Sequence, residues 1–146
     1  AAAGGAASVT SVDLSKTYLE WAGRNLALNG AGDAARDLVR EDARAFLAAS
    51  RERGRTWDLI IADPPTFSNS KSATDFDVNE DWPALIVDCL AVLREGGSLY
   101  FSTNSRKLRW KPELLPLESE DISVATIPPD FRDQKVHRCW RFRKTT

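Results

Sequence analysis

Short apolar segments alternate with segments of helical periodicity along the first two thirds of the chain. Residues 8–12 are rich in β-branched side chains and predict a buried strand that ends at Asp13. Ser15 is a suitable N-cap for a helix, apolar residues follow at helical spacing, and Asn29-Gly30 supplies a stop. This part of the chain therefore predicts a strand, a short turn and a helix.

The same order repeats further along the chain. Leu38-Val39 predicts a second strand that ends at Glu41-Asp42, and residues 43–53 predict a helix that Gly54 closes. Residues 57–62 are apolar except for Asp58, which predicts a central parallel strand buried on both faces. The repetition indicates an α/β fold.

A polar segment and a third helix follow this apolar run. Residues 66–80 predict a long, mobile surface loop, of a kind that often carries function and closes over a substrate. Residues 81–94 predict a helix with Gly96-Gly97 as its stop, and residues 98–102 predict another strand.

The last third of the chain has a different pattern. Strands are predicted near residues 122–127 and residues 136–142, and we expect the two to pair as a hairpin. Together with the preceding alternation, this predicts an open, doubly wound α/β sheet that is mostly parallel and ends in an antiparallel hairpin. The absence of a linker or internal repeat predicts a single domain over residues 1–146.

Composition narrows the class of protein. The 146 residues and 42% apolar content suit one compact domain, and the apolar runs are too short to span a membrane. Because Cys89 and Cys139 are the only cysteines, we expect a reducing, cytoplasmic setting, no disulfide framework and no metal site. The N-terminus does not have the character of a secretory signal. The chain contains no Met, which suggests that part of the protein lies upstream.

Charge is distributed unevenly along the chain. Residues 1–100 hold ten Lys and Arg against fifteen Asp and Glu, whereas residues 101–146 hold ten against six. A basic C-terminal third fits contact with the phosphates of a nucleic acid, although an ordinary solvated surface explains scattered charge equally well.

Three of the predicted strands are followed by an acid, at Asp13, Asp42 and Asp63. Ligands of open α/β sheets bind beyond the carboxyl ends of the strands. Asp13 suits the hydroxyls of a ribose, and Asp42 suits the exocyclic amine of an adenine, with the backbone N–H of Ala43 nearby. The alternative for such acids, and for Asp42 in particular, is that they cap the following helix.

The sequence Asp63-Pro64-Pro65-Thr66-Phe67 is more specific. The two prolines fix the backbone and expose carbonyl groups without competing N–H donors, while Phe67 offers an aromatic face. Such a rigid acceptor site suits a flat heteroaromatic base, as in enzymes that flip a base out of a helix. The alternative is an ordinary turn that leaves a strand, with Phe67 packing in the core.

Four segments together resemble a known family: Val12-Asp13-Leu14-Ser15, Asp63 to Lys71, Phe101-Ser102-Thr103-Asn104, and His137-Arg138-Cys139-Trp140. They resemble Rossmann-like methyltransferases dependent on S-adenosyl-L-methionine. Within these they resemble the C-terminal domain of bifunctional guanine methyltransferases of the RlmKL type, which act on large-subunit ribosomal RNA. The resemblance spans nearly the whole chain.

The resemblance implies S-adenosyl-L-methionine as cofactor and N7 of a guanine in large-subunit ribosomal RNA as methyl acceptor. It implies contacts between the cofactor and the ribose-binding and adenine-binding residues Asp13, Leu14, Ser15, Asp42 and Ala43. It implies that Asp63, Pro64, Pro65 and Phe67 meet the target base, with Asp63 also close to the cofactor. It further implies upstream domains in the same polypeptide as partners.

The cofactor loop is where the chain departs from the family. Gly4-Gly5 has the character of a helix stop and not of the glycine-rich loop that approaches the methionine end of the cofactor. We therefore expect the first strand of the sheet and the glycine-rich loop to lie outside this chain, which would weaken cofactor binding.

Chemistry then discriminates among the related reactions. N7 of guanine carries an in-plane lone pair and no proton, so methyl transfer needs positioning more than a general base, and Asp63 is expected to orient its partners. Methylation of cytosine C5 needs a cysteine nucleophile, but Ser102 and Asn104 occupy the expected position. Cys89 and Cys139 are expected to be packing residues.

The remaining aromatic residues and the single histidine receive structural predictions. Trp21, Trp57 and Trp140 are expected in the core and His137 in a structural role, while Trp82 and Trp110 are candidates for stacking on a base.

Two rival functions stay open. One is a non-catalytic RNA-binding module, and the other is an enzyme of the same fold that acts on another base or on a protein amide.

Overall fold

The computed structural model describes residues 1–30, 36–68, 76–133 and 135–145. These residues form two compact units, Ala1–Ala49 and Ser50–Thr146, and each is described by itself. The single domain expected over residues 1–146 stays a prediction.

The first unit is the predicted strand, helix and strand. β1 (Val9–Val12) pairs in parallel with β2 (Arg36–Val39), and α1 (Lys16–Leu28) lies between them in the chain. Ser15 is the N-cap of α1, and its Oγ accepts a hydrogen bond from the backbone N–H of Tyr18 at 3.3 Å. The predicted cap is therefore confirmed, and it sets the start of α1 directly after Asp13.

Glycines end several elements where the sequence predicts a stop. Gly5 (φ 84°) follows a short 3₁₀ helix, Ala2–Gly4, and Gly30 (φ 73°) follows α1. Gly54 (φ 65°) follows α2 (Ala43–Glu52), which begins in the first unit and ends in the second. Each of these glycines has the left-handed conformation that a side chain disfavours.

The second unit is built on a mixed sheet. β3 (Trp57–Ala62) and β6 (Leu93–Thr103) are parallel and are connected in the chain through α3 (Val78–Ala91). β8 (Arg138–Arg143) is antiparallel to both β6 and β7 (Ser119–Asp121). Among the described residues, the strand order of this sheet is β3, β6, β8, β7. The mixed sheet with a C-terminal antiparallel pair is the predicted fold class.

A two-stranded ribbon lies between β3 and α3 in the chain. It consists of β4 (Phe67–Ser68) and β5 (Phe76–Asp77), which are antiparallel. The prediction of a long loop over residues 66–80 is therefore wrong at both ends, because the ribbon pairs there and α3 begins at Val78 and not near residue 81. The mobility predicted for the middle of this loop, residues 69–75, falls outside the described residues.

Other predictions also need correction. The prediction that β3 is buried on both faces is wrong, because Leu59 and Ile61, which share one face of the strand, are 42% and 65% exposed. Gly96-Gly97 does not stop a helix but lies inside β6. A side chain at Gly97 would come within 2.9 Å of the backbone oxygen of Asp58, so glycine permits a close approach to β3.

The predicted strand at residues 122–127 is also wrong. β7 ends at Asp121, and α4 (Ser123–Thr126) follows. Asp121 Oδ1 accepts hydrogen bonds from the backbone N–H of Ser123 at 2.9 Å and from its hydroxyl at 2.5 Å. This local hydrogen bonding between the Asp121 side chain and Ser123 favours a turn over the strand that the β-branched residues predict.

An aromatic stack forms part of the core of the second unit. Trp110 lies against Trp140, with ring centroids 3.9 Å apart, and against Trp82, with centroids 4.4 Å apart. Trp82 and Trp140 are buried. The prediction that Trp82 and Trp110 stack on a base is therefore wrong, since their faces are occupied by each other and by Trp140.

Trp21 shows the opposite error. It is 55% exposed and contacts the equally exposed Tyr18 one turn earlier, whereas Leu19 is the buried residue of α1. The expectation that Trp21 packs in the core is wrong, because it lies on the outer face of α1.

Among the described residues, no helix combines the length and the apolar character that a membrane span requires.

Candidate functional site

The carboxyl end of β3 places Asp63 beside Ser102. Ala62, the last residue of β3, pairs with Phe101 of β6, so Asp63 and Ser102 extend from adjacent parallel strands. Ser102 Oγ donates a hydrogen bond of 2.7 Å to Asp63 Oδ1. Asp63 is exposed. The carboxylate is therefore oriented by one hydrogen bond and remains open to a ligand.

The chain turns sharply after Asp63 and presents an aromatic ring. Pro64 and Thr66 are half-buried, whereas Pro65 is exposed and the Phe67 side chain is 61% exposed. Phe67 pairs with Asp77 in the β4–β5 ribbon, and Thr66 O accepts from the backbone N–H of Val78 at 3.1 Å. The ring is thus held on paired backbone while its surface stays accessible, which argues against the alternative that Phe67 packs in the core.

A polar network connects this ribbon to the end of β6. Asp77 caps α3, and its Oδ1 accepts from Asn79 N at 2.8 Å and from Asn79 Nδ2 at 2.7 Å. Asn79 Oδ1 accepts from Ser105 Oγ at 2.7 Å, and Ser105 N donates to Thr103 Oγ1 at 3.1 Å. Thr103 and Ser105 are buried. The network fixes the partner strand of Phe67 relative to the strand that carries Ser102.

Sequence reasoning missed Asn79 and Ser105 as supports of the site. The signal for the α3 end was present, because Asp77 is a suitable N-cap residue: its Oδ1 accepts from Asn79 N at 2.8 Å, and its own backbone N–H donates to Asp81 Oδ2 at 2.9 Å. Recognising that pattern starts α3 at Val78 and brings Asn79 into its first turn. Ser105 gives no comparable signal, since its contact with Asn79 spans 26 positions.

Neither cysteine has the properties of a nucleophile. Cys139 pairs with Ser102 across the sheet and is buried, and burial raises the pKa of its thiol, with the negative charges of Asp63 and Asp121 adding to the effect. Burial raises the pKa of the Cys89 thiol to about 12, with a further contribution from Asp88. Both thiols are therefore protonated near neutral pH, as expected of packing residues.

The acids of the first unit lie at the carboxyl edge of its two parallel strands. Asp13 N donates to Val39 O at 3.1 Å, and Asp13 Oδ1 accepts from Ser15 N at 2.7 Å. Leu14 O accepts from Arg40 Nε at 3.2 Å. Asp13 is half-buried and held by the start of α1, which leaves Oδ2 available for a diol.

Asp42 caps α2. Its Oδ1 accepts from the backbone N–H groups of Arg44 and Ala45, each at 3.0 Å, and Ala43 is the exposed first residue of the helix. The capping alternative therefore describes what Asp42 does within the chain. Both cap bonds use one carboxylate oxygen, so the cap does not consume the second. The structure brings Asp13 and Asp42 to one edge of the first unit, while Asp63, Pro64, Pro65 and Phe67 belong to the second.

The other polar candidates have local partners. His137 Nε2 lies 3.2 Å from Thr126 Oγ1, which fits its predicted structural role. Within the described part of the chain, no group of three or more His, Cys, Asp or Glu is placed to hold a metal ion.

Comparison with known proteins relates the chain to a specific group. The chain is 47% identical over 144 residues to ribosomal RNA large subunit methyltransferase K/L of Methylococcus capsulatus and 52% identical over 145 residues to the protein of that name from Ectopseudomonas mendocina. Both alignments cover 97% of the chain, but only 20% and 19% of the relative. Ribosomal RNA large subunit methyltransferase K of Neisseria meningitidis is 46% identical, with 98% of the chain and 41% of that protein covered.

Solved structures agree on the fold. A SAM-dependent methyltransferase from Agrobacterium tumefaciens matches with a TM-score of 0.76 and 25% identity, covering 99% of the chain and 51% of that protein. A putative methyltransferase solved in complex with SAH matches with a TM-score of 0.74 and 24% identity, covering 96% of the chain and 40% of that protein. The chain thus has the Rossmann-like fold of SAM-dependent methyltransferases.

No protein-family model matches the chain. The chain spans between about a fifth and two fifths of the length of the curated relatives it matches. Over nearly all of its own length it is therefore a homologue of one segment of the ribosomal RNA large subunit methyltransferases of the K/L group, and the resemblance inferred from its sequence is confirmed.

Proposed function

We propose that this chain carries the cofactor-binding and base-docking part of an enzyme that transfers a methyl group from S-adenosyl-L-methionine to N7 of a guanine in large-subunit ribosomal RNA. The observation that carries the proposal is the oriented but exposed Asp63 carboxylate, next to a Pro-Pro turn that presents the accessible ring of Phe67. The names of the relatives support ribosomal RNA as the substrate.

The hydrogen-bonding groups of the first unit fit an adenosine group. Asp13 offers a carboxylate at the carboxyl end of β1, with Leu14 and Ser15 beside it, and Asp42 with Ala43 offers a second carboxylate and the start of a helix. These are the groups that accept hydrogen bonds from ribose hydroxyls and from an exocyclic amine. When bound, S-adenosyl-L-methionine supplies an electrophilic methyl group on a sulfonium.

The second unit supplies positioning. Phe67 offers a face on which a guanine ring stacks, and the rigid turn at Pro64 and Pro65 limits the ways in which the base can lie. Asp63, held by Ser102, accepts hydrogen bonds and fixes orientation. No residue has to remove a proton from N7, because that nitrogen reacts through its lone pair. The contribution of these side chains is alignment of nucleophile and methyl group.

An acceptor comparison tests the proposal. The chain, and in parallel a version extended at its N-terminus, is incubated with labelled S-adenosyl-L-methionine and with large-subunit ribosomal RNA, small-subunit ribosomal RNA, DNA or ribosomal protein. Transfer to the large-subunit RNA that Asp63→Ala strongly slows supports the proposal. Transfer only to protein or DNA contradicts it, and RNA binding without transfer to any acceptor indicates a non-catalytic RNA-binding module.

A further inference from the structure

Residues 104–111 follow β6 and lead to a 3₁₀ helix, Pro112–Leu114, and four exposed cations lie among them. We propose that Lys107, Arg109 and Lys111, called here the basic row, bind the phosphate backbone of the RNA next to its target base. The inference rests on the proposed function for the identity of that base. It adds the surface that holds the strand.

The segment is anchored by the residues between the cations. Leu108 is 4% exposed, and its carbonyl oxygen accepts from Arg138 Nη1 at 3.0 Å. Trp110 is held between Trp82 and Trp140 in the aromatic stack. Because Leu108 and Trp110 point inward, the alternating residues of the basic row are presented to solvent from a fixed backbone. A fixed row loses less entropy on binding than cations on a free loop.

The three cations are available for an anion. Arg106, immediately before them, forms an ion pair with Asp133 and is therefore not included. Within the ranges that the structure describes, no carboxylate lies at ion-pair distance from Lys107, Arg109 or Lys111. Successive members are two residues apart, which is at most about 7 Å along an extended chain. A row of regularly spaced cations complements a polyphosphate backbone.

The basic row is connected to the candidate base site. The segment that carries it begins directly after β6, where Ser102 binds Asp63. Ser105 at its start donates to Asn79 of α3, and Val78, the first residue of that helix, donates to Thr66 O beside Phe67. The start of the segment that carries the row is therefore hydrogen-bonded, through the first turn of α3, to the backbone beside Phe67. We expect the phosphates next to a base that stacks on Phe67 to contact the basic row.

A binding titration with a matched control tests this. The probe is a fluorescent single-stranded RNA oligonucleotide with the sequence of a guanine-containing large-subunit loop, titrated at several salt concentrations. The test variant is K107A/R109A/K111A. The control variant, R51A/R53A/R143A, removes the same charge from exposed positions at the opposite end of the sheet, before β3 and at the end of β8. Equal unfolding midpoints verify that all three proteins are folded.

The expected result is specific to the basic row. Removing the basic row weakens RNA binding on the order of 10- to 100-fold near physiological salt. It also reduces the magnitude of the slope of log K against log salt by about 2. The control variant changes the RNA affinity by less than about threefold. The inference is overturned if the salt slope of the test variant is unchanged, or if the control variant loses as much RNA affinity as the test variant. It is also overturned if polyglutamate displaces the labelled RNA as strongly as unlabelled RNA does.

Methyl transfer measured on the same proteins separates this inference from the proposed function. If the unmodified protein transfers methyl groups but the test variant binds RNA normally, the proposed role of the basic row is wrong and the proposed function stands. If no protein transfers a methyl group but RNA binding still depends on the basic row, the inference stands and the proposed function fails.

Discussion

Ser102 Oγ donates a 2.7 Å hydrogen bond to Asp63 Oδ1, joining two residues 39 positions apart at the carboxyl ends of adjacent parallel strands. Removing the hydroxyl with Ser102→Ala is expected to lower kcat for methyl transfer about tenfold, since a hydrogen bond to a charged group contributes about 1.5–3 kcal/mol. Asp63→Ala is expected to lower kcat about 100-fold through loss of alignment. Single-turnover transfer measures both effects.

Two controls sharpen this prediction. Ser102→Thr retains the hydroxyl and is expected to retain most of the rate. The double variant D63A/S102A is expected to match D63A, because Ser102 acts through Asp63. Additive losses in the double variant would show that Ser102 acts independently.

Phe67 is predicted to bind the substrate base through its ring. Phe67→Leu keeps an apolar side chain but removes the aromatic face, and base stacking is worth about 1–3 kcal/mol. We expect KM for RNA to rise roughly tenfold, with the thermal midpoint unchanged because the side chain is 61% exposed. Phe67→Trp is expected to retain binding. A large loss of stability in Phe67→Leu, with normal KM, would restore the packing interpretation.

The bond between Ser105 and Asn79 is predicted to stabilise the second unit. Ser105→Ala leaves the half-buried Asn79 Oδ1 without its 2.7 Å donor, and the loss of such a hydrogen bond costs about 0.5–1.5 kcal/mol. Urea unfolding of S105A, N79A and the double variant measures the coupling. The double variant is expected to lose less than the sum of the two single variants, and strict additivity would contradict the network.

The buried thiol of Cys89 is predicted to make the free energy of unfolding fall at alkaline pH. Its pKa is raised by burial from 9.0 to about 12 in the folded protein, so the folded state holds the proton more strongly than the unfolded state. Its contribution to stability is therefore complete below about pH 9 and is lost as the pH rises toward 12. Urea unfolding between pH 8 and about pH 11 is expected to show a steeper decline than in Cys89→Ala. Parallel curves would contradict this.

Local chemistry made much of the fold predictable. The cap at Ser15 and the positive-φ glycines at Gly30 and Gly54 each follow from short-range signals. The acid after β3 was predictable for the same reason, because an apolar strand that ends at Asp-Pro-Pro places its carboxylate at the ligand edge of an α/β sheet.

Predictions failed where long-range contacts decide the outcome. Trp82 and Trp110 stand beside loops in the sequence, yet Trp110 stacks between residues far away in the chain. Gly97 has the sequence signature of a helix stop, but its place in β6 depends on the backbone of Asp58. Asn79 and Ser105 were not identified because their hydrogen bond joins different elements. Such pairings carry no periodicity that a single sequence can display.

The most direct test of the proposed reaction is the chemical identity of the methylated nucleoside. Large-subunit ribosomal RNA is incubated with the protein and S-adenosyl-L-methionine, digested to nucleosides, and separated by chromatography with mass detection. We predict 7-methylguanosine that appears with the unmodified protein and forms about 100-fold more slowly with Asp63→Ala. Methylation confined to another base or to another atom of guanine would contradict the proposed N7 chemistry, and no methylated nucleoside would contradict the enzymatic function itself.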